Sequence, residues 1–141
     1  MASKQPNIEA SRNRGAKARI LIVDDETYIQ HVVSLKLSNA GFEVITASDG
    51  EEGLATAIEQ RPDLIITDYQ MPFLTGLEMC QRLKQNPATA SIPVIMLTAR
   101  GFALDDADLR DVNIHKCLGK PFSPRELVAC VCAAVGAKSA A

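Results

Sequence analysis

Tryptophan is absent from this chain of 141 residues, and all aromatic residues together make up only 4% of it. Long apolar runs are absent too, because none reaches the roughly 18–20 residues that a membrane-spanning helix requires. The polar N-terminus also lacks the apolar segment of a secretory signal. The sequence therefore predicts a cytoplasmic protein without a membrane span.

Residues that bind zinc or form disulfides are few. The four cysteines contain no C-x-x-C pair, and the two histidines offer little further scope for metal binding. These residues are Cys80, Cys117, Cys130, Cys132, His31 and His115. Reduced and mostly buried thiols in a cytoplasmic protein are the favoured interpretation.

A basic surface is missing from the main part of the chain. Residues 1–17 carry a net charge of +3, whereas the whole chain carries −2, which leaves −5 for the remainder. We expect residues 1–17 to be a disordered basic tail, residues 18–137 to be one folded domain, and residues 138–141 to be a flexible end. The acidic balance and the lack of a DNA-reading helix argue against nucleic-acid binding.

Short β-branched runs alternate with helical patterns from residue 18 onward. Such alternation predicts an α/β domain, in which a parallel sheet is covered by helices on both faces. The strands are predicted at 19–24, 43–47, 63–68, 93–98 and 116–120. Five strand–helix pairs in about 120 residues form a doubly wound domain. A weaker helical pattern near residues 104–109 supplies the fourth of five predicted helices.

Polar side chains stand at the carboxyl ends of four of the predicted strands. In open parallel α/β sheets, ligands bind beyond the carboxyl ends of the strands. The residues at these ends are Asp24, Asp25, Asp68, Thr98 and Lys120. Three carboxylates favour a hard cation such as Mg²⁺, and an ammonium beside them favours a phosphate. The alternative, solvated acids at loop starts, explains any single residue better than it explains the set.

The motifs that hold these residues resemble those of the receiver domain of two-component response regulators. They are the Asp24–Asp25 pair, TDYQMP at 67–72, Thr98–Ala99 and Lys120–Pro121–Phe122. The resemblance covers residues 18–137, and the organisation is similar to that of stand-alone, chemotaxis-type regulators. It implies a flavodoxin-like fold with strand order 2-1-3-4-5 and five helices.

The resemblance also implies a role for each site residue. Asp68 would accept a phosphoryl group from a histidine kinase or a histidine phosphotransfer protein. Asp25, Asp68 and the main-chain carbonyl of Gln70 would bind Mg²⁺, with Asp24 acting through a water molecule.

Further groups would bind the phosphoryl oxygens. They are the side chains of Lys120 and Thr98 and the amides of Tyr69 and Ala99. Asp68, Lys120 and Thr98 would form the catalytic set, and the Lys120–Pro121 peptide bond would be cis.

The expected switch region departs from the family pattern. It comprises Thr98, Arg100, Phe102 and Cys117. Receivers usually have Tyr or Phe where this chain has Cys117, so an aromatic flip cannot be transferred. We expect the loop from Thr98 to Phe102 to carry the switch. Gln70 and Arg100 are expected to tune the lifetime of the phosphoryl group.

Three functions remain open from the sequence. The leading one is a receiver that catalyses only its own phosphorylation and dephosphorylation. As a monomer or weak dimer, it would bind a downstream protein through residues 102–137 or relay phosphate. The second is a phosphohydrolase with Asp68 as nucleophile, which is weakened because Gln70 stands where an acid/base Asp would be needed. The third is a degenerate receiver that binds partners constitutively.

Overall fold

A five-stranded parallel sheet with the order β2-β1-β3-β4-β5 forms the centre of the protein. The computed structural model of the protein describes residues 17–99 and 112–140. The strands are β1 (Arg19–Val23), β2 (Glu43–Ala47), β3 (Leu64–Asp68), β4 (Val94–Thr98) and β5 (Ile114–Gly119). This order confirms the predicted one. Because the chain reverses its direction across the sheet at β1, right-handed crossovers place helices on both faces.

Four helices lie within the described residues. They are α1 (Thr27–Asn39), α2 (Gly50–Gln60), α3 (Gly76–Gln85) and α4 (Pro124–Ala140). The helix predicted near residues 104–109 lies outside the described residues, as do Arg100, Phe102 and most of the predicted N-terminal tail. None of the helices in the described ranges is long and apolar enough to cross a membrane.

The strands start and stop close to their predicted positions. Asp24 and Lys120, which the sequence placed inside strands, directly follow β1 and β5. Their backbone amides still extend the ladder, to the carbonyl of Ala47 at 3.1 Å and that of Thr98 at 2.7 Å. β5 begins at Ile114, two residues before its predicted start.

Two apolar layers bury the sheet, one on each face. Leu21, Val23 and Ile65 pack with α2 and α3, whereas the alternate residues of the same strands pack with α1 and α4. This division follows from the two-residue period of a strand. Because β1 and β3 are buried on both faces, they read as continuous apolar runs.

Side-chain caps fix where several helices begin. Asp49 accepts a hydrogen bond from the Glu52 amide at 2.8 Å at the start of α2. Thr75 and Glu78 form a reciprocal capping box at the start of α3. Ser123 caps α4, since the amide of Glu126 donates to Ser123 Oγ at 3.3 Å.

Small residues shape the end of α1 and the inner face of α2. Gly41 lies just after α1 and has φ +99°, in the left-handed region that favours glycine. Ile58 of α2 is 37% exposed. Its neighbour Ala57 is fully buried, because the glycines and alanines on the inner face of α2 allow the helix to lie close to β1.

Candidate functional site

The two adjacent acids after β1 face different environments. Asp24 is fully buried, whereas Asp25 is exposed. Asp24 Oδ1 accepts a hydrogen bond from the amide of Glu26 at 2.8 Å. The turn from β1 into α1 thereby fixes one oxygen of Asp24 and leaves Asp25 at the surface.

Gln30 holds this turn from α1. Its Nε2 group donates to the carbonyl of Asp24 at 2.6 Å and to that of Ala47 at 3.1 Å. One side chain thus ties the ends of β1 and β2 to the helix that follows. Sequence reasoning missed Gln30, because a glutamine five residues after Asp25 carries no signal of its own.

Lys120 brings the ends of β1, β3 and β5 together. Its Nζ lies 3.2 Å from Asp68 Oδ1, 3.6 Å from Asp24 Oδ2 and 3.3 Å from Glu26 Oε1. The predicted grouping of Lys120 with the acids is present in the structure, and the Lys120–Pro121 bond is cis as expected. Glu26 was not predicted, although its place directly after the acid pair was an available signal.

Burial sets the protonation behaviour of the site. It raises the pKa of Asp24 from 3.8 to about 6, against the lowering effects of the Glu26 amide and Lys120. It also raises the pKa of Asp68, again against Lys120. Burial alone would lower the pKa of Lys120, but the carboxylates of Asp24 and Asp68 raise it. The lysine therefore stays charged and offsets part of the repulsion between the acids.

The oxygen atoms of the acids are suitably placed for a divalent cation. One carboxylate oxygen each from Asp24, Asp25 and Asp68 lie within 4.8 Å of one another. Asp24 Oδ2 is buried and accepts no hydrogen bond from the described residues, so it retains an unused lone pair beside the group. Three hard oxygen donors fit Mg²⁺, which dehydrates reluctantly and prefers carboxylates.

An open cleft of about 300 Å³ lies at this edge of the sheet. It is lined by Asp25, Glu26, Asp68, Gln70, Ala99 and Lys120. Thr98, at the end of β4, is buried beside it and pairs with Gly119 in β5. The sequence prediction that these strand ends converge is borne out by this geometry, which leaves room for a phosphoryl group next to Asp68.

The amide of Tyr69 takes part in the sheet. It donates to the carbonyl of Leu97 at 2.8 Å and so extends the pairing of β3 with β4 by one bond. Its role toward a phosphoryl oxygen stays a prediction, whereas Ala99 lines the cleft beside Asp68.

A sequence profile described as "Response regulator receiver domain" matches residues 20–132. The chain belongs to the response regulator receiver family. It is thus a receiver domain of two-component signalling, and the resemblance seen in its motifs is confirmed.

Curated relatives of this receiver include longer regulators. It is 41% identical over 110 residues to the phosphate regulon transcriptional regulatory protein PhoB of Pseudomonas aeruginosa, covering 78% of this chain and 48% of that protein. It is 44% identical over 111 residues to the DNA-binding dual master transcriptional regulator RpaA of Synechocystis, covering 79% and 46%. The chain spans about half the length of these relatives.

Solved receiver structures match nearly their full length. Chemotaxis response regulator CheY4 of Vibrio cholerae superposes with a TM-score of 0.77 at 35% identity, covering 84% of this chain and 99% of that one. The receiver domain of sensor histidine kinase PA1611 from Pseudomonas aeruginosa superposes at 0.76 and 28% identity, covering 86% and 99%. That structure has a magnesium ion coordinated in its active-site cleft.

Cys117 stands in this receiver where an aromatic switch residue was expected. It is exposed on β5 and pairs with Met96 of β4. Cys132 is exposed too and Cys130 is half-buried, so the prediction of mostly buried thiols is right for Cys80 and wrong for Cys117 and Cys132. The other expected switch residues, Arg100 and Phe102, lie outside the described residues.

Proposed function

We propose that Asp68 accepts a phosphoryl group in a Mg²⁺-dependent transfer from the phosphohistidine of a histidine kinase or phosphotransfer protein. The observation that carries the proposal is the 3.2 Å ion pair between Lys120 Nζ and Asp68 Oδ1 at the base of an acidic cleft. A carboxylate held next to a cation and open to solvent on one side can act as a nucleophile toward phosphorus.

The cation site has a defined set of candidate ligands. Asp25, Asp68 and the main-chain carbonyl of Gln70 would hold Mg²⁺ directly, and Asp24 would hold it largely through water. Bound there, Mg²⁺ supplies positive charge beside the phosphoryl oxygens. Asp24 and Gln30 keep the β1–α1 turn in place, so that Asp25 faces the cleft.

The transfer itself is a displacement at phosphorus. A carboxylate oxygen of Asp68 forms the new O–P bond while the N–P bond of the phosphohistidine breaks, and the imidazole nitrogen takes the electron pair. Lys120 then pairs with a phosphoryl oxygen, and Thr98 donates a hydrogen bond to another. Both groups stabilise charge on the transferred group, which is the main requirement of phosphoryl transfer.

Signalling would follow from the added charge. A phosphoryl group adds about −1.5 to −2 charge at neutral pH. That charge would draw Thr98 toward Asp68 and shift the loop after it. The receiver would then bind a downstream protein through residues 102–137, or pass the phosphoryl group on, as a cytoplasmic monomer or weak dimer.

A general phosphohydrolase activity has less support. Gln70 lines the cleft two residues after Asp68, and an amide cannot donate or accept the proton that ester hydrolysis requires. We therefore propose that the receiver catalyses only its own phosphorylation and dephosphorylation.

The test is phosphorylation by acetyl phosphate, or capture of beryllofluoride, in the presence of Mg²⁺. Intact mass should rise by one phosphoryl group, and the adduct should be stable in acid and labile in alkali. Asp68→Asn should abolish the adduct. Asp49→Asn is the matched control, since Asn caps α2 as well as Asp does and the adduct should persist. Labelling of Asp68→Asn would overturn the proposal.

A further inference from the structure

Phe73 combines two features that are unusual for a large apolar residue. It is 96% exposed, and its backbone has φ +70°. The amide of Leu74 donates to the carbonyl of Pro72 at 2.7 Å across it, so Phe73 is the central residue of a three-residue turn. A turn of this kind with positive φ is rare and strained, and Gly or Asn would adopt it more easily.

The loop that carries Phe73 is anchored on both sides. The amide of Gly76 donates to the carbonyl of Tyr69 at 2.8 Å, and this hydrogen bond closes residues 70–75 into a short loop. Gly76 also lies against the carbonyl of Asp68 so closely that it leaves no room for a Cβ atom. Leu74 is 3% exposed and packs against Gly50. The ring of Phe73 is therefore presented to solvent by a firmly held backbone.

The loop stands at the edge of the cleft. Asp68 ends β3, and Gln70, the first residue of the loop, lines the cleft. A protein that brings a phosphorylated side chain to Asp68 would approach the edge of the sheet from which this loop starts, at Gln70. Apolar aromatic residues are the type most enriched where protein interfaces are energetically important.

We infer that Phe73 is a docking residue for the protein phosphodonor, and that its ring packs against an apolar surface next to the phosphohistidine. The inference rests on the proposed function, because it assumes that the donor reaches Asp68 through this cleft. A strained, exposed aromatic residue costs stability in the isolated domain, so a gain in a complex explains its position. A second copy of this chain is a poorer partner for Phe73. Its acidic cleft would face the acidic residues Glu26 and Asp25 of the first copy, and like charges repel.

The experiment compares two kinds of donor for the full chain and for Phe73→Gly, which keeps the turn and removes the ring. Acetyl phosphate tests the chemistry without docking. The protein probe is the purified, autophosphorylated core of each histidine kinase encoded in the same genome, and the fastest donor for the unchanged chain is used. Ile58→Ala, an exposed apolar change near the far end of α2, is the matched control.

We expect Phe73→Gly to react normally with acetyl phosphate and to lose about tenfold in kcat/KM with the kinase, through a higher KM. Phe73→Leu should restore most of the rate, and Ile58→Ala should change neither reaction. Equal kinase rates for Phe73→Gly and the unchanged chain would overturn the inference. The inference would also be overturned if none of the kinases phosphorylated the unchanged chain. The same holds if removal of the Phe73 ring changed only self-association, as measured by sedimentation. Failure of acetyl phosphate to label the unchanged chain would instead count against the proposed function.

Discussion

The ammonium group of Lys120 lies 3.2 Å from Asp68 Oδ1, although the two residues belong to different strands that are not neighbours in the sheet. The contact spans β4, which lies between β3 and β5. Because Lys120 also lies near Asp24 and Glu26, one cation is shared by three acids. A single positive charge offsets only part of their negative charge, so the site without a metal keeps an excess of negative charge.

Lys120→Gln should therefore destabilise the metal-free domain. Removing the cation leaves the buried carboxylates of Asp24 and Asp68 facing each other, and we expect the free energy of unfolding at pH 7 to fall by about 1–3 kcal/mol. Urea denaturation with and without Mg²⁺ measures this, and Mg²⁺ should restore more stability in Lys120→Gln than in the unchanged chain. Equal metal responses would contradict the shared-cation role.

The stability of the metal-free domain should depend on Asp24 through pH. Its pKa is about 6 in the folded state against 3.8 unfolded, so the folded state binds the proton more tightly. The stabilisation from protonated Asp24 is fully present below pH 3.8 and is lost as the pH rises through 6. The free energy of unfolding is therefore lower at pH 7 by up to about 3 kcal/mol.

Asp24→Asn should remove that dependence. We expect the variant to be more stable than the unchanged metal-free domain at pH 7, by up to about 3 kcal/mol, and equal to it near pH 4. Calorimetric titration should show weaker Mg²⁺ binding at the same time. A variant that is less stable at pH 7 would argue against a desolvated Asp24 carboxylate.

Gln30 should act on the cation site without touching the cation. Gln30→Leu removes the hydrogen bonds that hold the β1–α1 turn, and residues that orient metal ligands typically change affinity by about 10–100-fold. Titration with Mg²⁺ should show an affinity about tenfold lower in Gln30→Leu than in the unchanged chain. Gln81→Leu, an equivalent change at an exposed position of α3, should leave the affinity unchanged.

Gly76 and Gly136 offer a matched pair of opposite sign. A Cβ at Gly76 would meet the Asp68 carbonyl, Tyr69 and the Met96 sulfur, so Gly76→Ala should destabilise the domain by about 1–3 kcal/mol. In the described part of the chain, no atom lies within 4 Å of the corresponding position of Gly136 in α4, where Ala should stabilise by about 0.5–1 kcal/mol. Thermal denaturation of the two variants shows whether the contact at Gly76 is as tight as the structure has it.

Apolar patterning and local caps determined the elements and most of the site from the sequence alone. β1 and β3 were recognisable because strands buried on both faces must be apolar throughout, and α4 because Ser123 and Pro124 mark a helix start. Given parallel strands, their carboxyl ends must meet at one edge. The convergence of Asp24, Asp68, Thr98 and Lys120 therefore followed from the chain order of the elements.

Only the tertiary structure decided how these groups are paired and which ones are available. The Tyr69 amide is used by Leu97, Gln30 bridges two strand ends, and Glu26 shares Lys120, all through contacts between residues distant in sequence. The exposure of Ile58 and Phe73 likewise depends on neighbouring elements that a periodic pattern does not describe. Residue type and spacing fix which chemistry is possible, whereas distances across the sheet fix which atoms perform it.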